Sequence, residues 1–122
     1  MEPFLMLQVS TYLFGIAGLG GVVMALIRFS SGNNPPSWLA MLHGFLAAAG
    51  LTLLAYAVLT MEVPANAFLA LLLFLAGAAG GIVLNLAYHL RGVPLPKWLV
   101  AVHGVITVLA LVLLYLAAFP AT

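Results

Sequence analysis

Two short stretches carry the residues best able to do chemistry in this chain: "WLAMLHG" at 38–44 and "WLVAVHG" at 98–104. The 122 residues contain three histidines, two tryptophans, two acidic side chains and no cysteine. Two of the three imidazoles, His43 and His103, thus stand five residues after a Trp and one before a Gly, sixty residues apart. A neutral imidazole has one donor and one acceptor to satisfy. It can bond a second imidazole, a carbonyl or a water, or ligate a metal. The absence of cysteine removes disulfides, thiolate metal sites and the thioether attachment of a c-type haem.

The elements that position these residues follow from composition. The chain is 66% hydrophobic and only 4% charged, whereas about a quarter of an ordinary soluble domain is charged. Such a chain is expected to be an integral membrane protein. Charge-free runs separate Glu2 from Arg28, Glu62 from Arg91, and Lys97 from the last residue; the run from Arg28 to Glu62 is broken by "SSGNNPPS". With about 20 apolar residues per span, and helices the way to satisfy a lone backbone in lipid, four helices are predicted near 4–29, 37–60, 64–89 and 97–119. The first is too long for the apolar region of a signal peptide and is expected to remain in the mature protein. Arg28, Arg91 and Lys97 flank the 1–2 and 3–4 loops, and Glu2 and Glu62 mark the other side. The positive-inside rule then predicts cytoplasmic loops and both termini outside, with a bacterial inner membrane as the expected setting. The lipid bilayer is the expected surrounding, and no nucleic-acid partner is expected.

A shift of 60 residues aligns the two halves without a gap, with 18 identities in 60. Gly20-Gly21 falls on Gly80-Gly81, Gly32 on Gly92, Pro36 on Pro96, Trp38 on Trp98 and His43-Gly44 on His103-Gly104. The expected fold is therefore all-α: one membrane domain, 1–122, built as a four-helix bundle from two parallel tandem copies (1–60 and 61–120) of a two-helix hairpin. Copies of equal orientation are related by an axis along the membrane normal. His43 and His103 then face each other at one depth if both point inward.

Trp38 and Trp98 suit the headgroup level, and Pro36 and Pro96 suit a first helical turn. At 1.5 Å per residue the two imidazoles lie roughly 7–8 Å deeper. Ionisable groups at that depth are costly and usually face the bundle interior. Gly21 lies at a similar depth from the same boundary. Two explanations of the glycine pairs compete: close helix packing, or a slot for a flat ligand between helices 1 and 3. Two inward imidazoles and cleared space together point to one b-type haem, since imidazole is a standard axial ligand and bundle cores hold cofactors between facing helices. The expected ligands are His43 and His103. Gly20, Gly21, Gly80, Gly81, Gly44 and Gly104 would line the group, and Arg28 and Arg91, with Lys97, Ser30 and Ser31 nearby, would meet its propionates. Ala47 and Gly50, matched by Thr107 and Ala110, would leave room beside the ligands.

Other residues admit plainer readings. His89 has no histidine counterpart and reads as an interfacial polar group, with a place near a propionate or a quinone headgroup as the other option. Asn85 reads as an interhelical hydrogen bonder or as an orienter of a ligating imidazole. A zinc or copper site is undersupplied by two histidines. Proton-coupled export by a small multidrug transporter needs a carboxylate within a span, and neither acid lies in one. The main alternative to a haem carrier is a haem-free accessory subunit of a larger respiratory or photosynthetic complex, or a homo-oligomer, with the His pair linking helices 2 and 4. No nucleophile, acid pair or metal cluster suggests a self-contained enzyme; electron transfer with a quinone or a partner complex is the expected role.

The Trp-x4-His-Gly pair and the two Gly-Gly pairs resemble membrane b-type cytochromes in general, which carry histidines on facing helices and glycines beside the haem. The resemblance implies a bis-histidine haem b. Multi-haem members stack two His pairs; this chain has one.

Overall fold

The computed structural model describes residues 2–121, so Met1 and Thr122 lie outside it. It is all-α, with helices α1 (Pro3–Ser31), α2 (Ser37–Thr60), α3 (Ala65–Val83, continued by a π-helical turn Leu84–His89) and α4 (Lys97–Ala118). All four spans, with α3 counted through His89, are long and apolar enough to cross a membrane. They agree with the sequence expectation to within a few residues. The π turn was not anticipated.

The helix ends follow from local chemistry. The Glu2 carboxylate caps α1 by accepting from the backbone N–H of Phe4 (3.1 Å) and Leu5 (2.6 Å), where an anion is favoured by the helix dipole. The α1 C-terminus closes on Gly32 in the left-handed conformation (φ 75°), whose N–H returns to the Arg28 carbonyl. A residue with a Cβ is disfavoured there. Gly92 has the same conformation (φ 67°) after α3. Pro36 and Pro96 are the extended cap residues just before α2 and α4, one step outside the first turn.

Each helix packs on its neighbours in sequence, and α4 closes on α1, leaving α1 and α3 on one diagonal and α2 and α4 on the other. The α1–α2 and α3–α4 hairpins are the tightest pairs and α2–α3 the loosest. The helices are apolar all round, as expected where lipid covers the outer face. Trp38 and Trp98 are 66% and 68% exposed on that outer face.

Packing is uneven along the bundle. The end where α1 begins and α4 finishes is solid: Met6, Leu7, Leu54, Ala57, Ala67, Ala70, Leu71, Leu114 and Ala117 form a closed core. Polar groups there are paired. Ser10 donates to the Gly50 carbonyl of α2 at 2.8 Å, and Gln8 to the Ala118 carbonyl of α4 at 3.1 Å. The core ends at Phe14 and Phe74, whose rings stack between the diagonal helices α1 and α3 at 3.7 Å and 5°. Beyond that stack, towards the loops, the bundle is hollow.

Candidate functional site

The hollow is a cavity of about 450 Å³ lined from all four helices. Its floor is the Phe14–Phe74 stack, His43 and His103 stand in its walls, and Arg28, Asn85, His89, Pro35 and Leu95 border it at the loop end.

Each imidazole is oriented by a neighbouring helix. His43, on α2, has Nδ1 2.6 Å from the Ala17 carbonyl of α1; His103, on α4, has Nδ1 2.7 Å from the Gly77 carbonyl of α3. A carbonyl can only accept, so Nδ1 carries the proton in both rings. In a neutral imidazole the other nitrogen, Nε2, is then a lone-pair acceptor. Neither Nε2 is engaged by another described residue, and neither is sealed off as a buried unpartnered atom. Both rings border the cavity. Fixing one nitrogen on a carbonyl so that the other is free is the usual orientation of a metal-ligating histidine.

The glycines explain how the rings reach those carbonyls. In a helix, the carbonyl of residue i lies beneath the side chain of residue i+4. Gly21 therefore sits over the Ala17 carbonyl and Gly81 over that of Gly77. A Cβ on Gly21 would lie 3.1 Å from Cε1 of His43, and one on Gly81 would lie 3.2 Å from Cε1 of His103. Gly20 and Gly80 are more relaxed, their virtual Cβ meeting only side-chain carbons of α2 and ring or Cβ atoms of the histidines at 3.8–4.0 Å. The close approach anticipated for a flat ligand is thus given to the imidazoles.

The two rings face each other with centroids 6.3 Å apart and planes at 71°. At that separation their nitrogens cannot hydrogen-bond each other even when aimed directly. The imidazoles tie α2 to α1 and α4 to α3, not α2 to α4. Gly21, Gly81, Gly44 and Arg28 border the cavity, whereas Gly20, Gly80, Gly104 and Arg91 do not. Gly104 lies in an outer groove between α1 and α4, and Arg91 is exposed. Ser30 and Ser31 donate to carbonyls of their own helix, and Lys97 lies 5.8 Å from the Phe29 ring centre. Ala47 and Thr107 border the cavity, but Gly50 and Ala110 belong to the packed half, Gly50 lying under the Phe14 ring.

The loop end is held shut by bonds that sequence reading did not foresee. Asn34 donates to the Val93 carbonyl (2.9 Å) and accepts from the Leu95 N–H (2.9 Å), stapling the two loops. Arg28 donates Nε–H to the Leu95 carbonyl (2.9 Å) and a terminal N–H to the Gly32 carbonyl (2.9 Å). His89 donates Nε2–H to the Pro35 carbonyl (2.8 Å). Pro35 and Leu95 stand sixty residues apart in the chain and are both buried.

Among the described residues no group of three or more His, Asp or Glu gathers to hold a bare metal ion. Two imidazoles undersupply a bare zinc ion, whereas a haem brings its own equatorial ligands and takes imidazoles as axial ones. The apolar cavity that both rings and the Arg28 guanidinium border offers residue types that such a group would need. The chain matches no family model, no curated protein and no solved structure at a significant level, so the functional reading rests on this site.

Proposed function

We propose that this chain is a membrane b-type cytochrome with one haem b between His43 and His103. One observation carries the reading: two imidazoles from diagonal helices, each held through Nδ1 by a backbone carbonyl and with Nε2 unpartnered among the described residues, border a single cavity at a centroid separation of 6.3 Å. Metal–imidazole bonds of about 2.0–2.1 Å on opposite sides of one ion call for a separation of this size. The haem, when bound, supplies a one-electron couple. The chain's residues supply the axial nitrogens, a hydrocarbon wall, a Phe14–Phe74 floor and a guanidinium for a propionate. The protein exchanges electrons with a quinone or a partner complex; it is not a self-contained enzyme.

The same reading makes the bundle a duplicated hairpin with an offset of 60. In its support, the Ala17–His43 and Gly77–His103 bonds, the Phe14–Phe74 stack and the Gly32 and Gly92 caps all join or occupy positions sixty residues apart. The placement of Arg28, Arg91 and Lys97 supports cytoplasmic loops and outward termini in a bacterial inner membrane. The test is optical. Protein expressed with haem supplied and purified in mild detergent is expected to carry about one haem per chain, with a Soret band and a sharp reduced α band. His43→Ala and His103→Ala are each expected to abolish or shift both bands. A colourless wild-type preparation contradicts the proposal and leaves the accessory-subunit reading.

A further inference from the structure

The cavity has a second polar edge, which the two ligating imidazoles do not use. Asn85 and His89 lie one turn apart on the π-helical segment, and both border the cavity. The Asn85 side chain is exposed and has no hydrogen-bond partner among the described residues, although an amide on a membrane helix would be expected to find one. His89 donates through Nε2 to Pro35, which leaves Nδ1 as an acceptor. The backbone here is unwound to i→i+5 pairing, with the Leu90 N–H on the Asn85 carbonyl at 2.9 Å. Such π turns are rare and frequent at functional sites. In the first half of the chain the matching positions are Ala25 and Phe29, and the helix there is ordinary. The first half thus forms its helix without a polar pair here, and of the two side chains only that of His89 makes a structural bond among the described residues, to Pro35.

The surroundings define what can reach this edge. The loops are stapled over one end of the cavity and the aromatic stack closes the other. The α2–α3 pair is the loosest of the four neighbouring contacts. Gly44 and Ala48 of α2 and Ile82 and Asn85 of α3 are exposed and also border the cavity, so it opens sideways between these helices, within stretches long and apolar enough to cross a membrane. A ligand using this opening must be lipid-soluble and slim. It must also accept from an amide N–H and donate to, or stand beside, an imidazole nitrogen.

We infer that the α2–α3 opening binds the headgroup of a lipid-soluble quinone or its quinol, with Asn85 donating to a ring carbonyl and His89 Nδ1 accepting from the reduced hydroxyl. The site extends the cytochrome reading but stands on different residues, so either can fail alone. The full-length protein in phospholipid nanodiscs, titrated with radiolabelled decylubiquinone, is expected to show one saturable site per chain above the partition into protein-free discs. Asn85→Ala and His89→Phe, which install the residues of the matching first-half positions, are each expected to weaken it about tenfold, His89→Phe more for the quinol than for the quinone. Unlabelled decylbenzene, which has the tail without the carbonyls, should not compete. Binding no greater than in protein-free discs, competition by decylbenzene (an opening filled by acyl chains only), or Asn85→Ala binding as the wild type does would overturn the inference. The Soret band recorded on the same samples reports the haem site separately: saturable quinone binding to colourless protein would retain this site and remove the other.

Discussion

At the scale of single residues, the account turns on what a hydrogen atom in place of a methyl group permits. Gly21 and Gly81 let an imidazole ring lie on a helix and reach the carbonyl four residues back. The adjacent Gly20 and Gly80 do not bear on that contact as closely. Gly21→Ala would put a Cβ 3.1 Å from a ring pinned by its bond to Ala17. The ring must move, and haem retention is expected to fall several-fold. Gly20→Ala meets its nearest atoms at 3.9 and 4.0 Å and should retain haem as the wild type does. The haem-to-protein ratio after size-exclusion chromatography distinguishes them. The duplicated His-Gly and Gly-Gly pairs were legible in sequence because these residue types are conspicuous in an apolar chain. Their partnership was not, because the atom that joins them is a backbone oxygen, which every residue has. Arg28 borders the cavity, and its bonds to the Leu95 and Gly32 carbonyls, which use two of its five N–H groups, were not legible, because those acceptors have no sequence signature.

At the scale of elements, the spans and their ends were readable from charge spacing and from the Gly and Pro residues of the loops. Hydropathy has no means of showing where the bundle is solid and where it is hollow, since Leu, Ala and Phe serve both halves. The packed half depends on a few specific contacts. Ser10→Ala removes the only side-chain hydrogen bond between α1 and α2 within that half among the described residues. Interhelical bonds of this kind average about 0.6 kcal/mol and reach ~1.7 kcal/mol, so a destabilisation within that range is expected in reversible unfolding by denaturing detergent. Phe74→Leu removes the aromatic stack that floors the cavity. It is expected to cost about 0.5–1.5 kcal/mol beyond lost contact area and, by opening the floor, to broaden the haem bands. The π turn escaped the sequence reading for a simple reason. Leu84–His89 has the composition of its α-helical neighbours, and the extra residue per turn is accommodated through Asn85 and Leu90 backbone groups rather than by a Pro or Gly.

At the scale of the whole molecule, four helices long and apolar enough to cross a membrane enclose a closed half and a hollow half, and on the proposed reading the hollow half carries the haem. The diagonal helices α2 and α4 carry one imidazole each, and carbonyls of the other diagonal pair, α1 and α3, hold them through Nδ1. Because the natural chain has no cysteine, its orientation can be mapped directly. Cysteines introduced at Asn33 and Val93 are expected to react with a membrane-impermeant maleimide only from the cytoplasmic side, and one at Glu62 only from the opposite side. Labelling of all three from one face would contradict an even-numbered bundle with both loops on one side.

The most direct test of the central claim is the electron paramagnetic resonance spectrum of the oxidised protein at low temperature. Two neutral imidazoles bound to one iron with their planes 71° apart leave the iron orbitals nearly degenerate. They should give a low-spin ferric signal of strong anisotropy, lost when either His43 or His103 is replaced. A high-spin signal, or a low-spin signal that survives in both His43→Ala and His103→Ala, would show that these rings do not hold the iron between them.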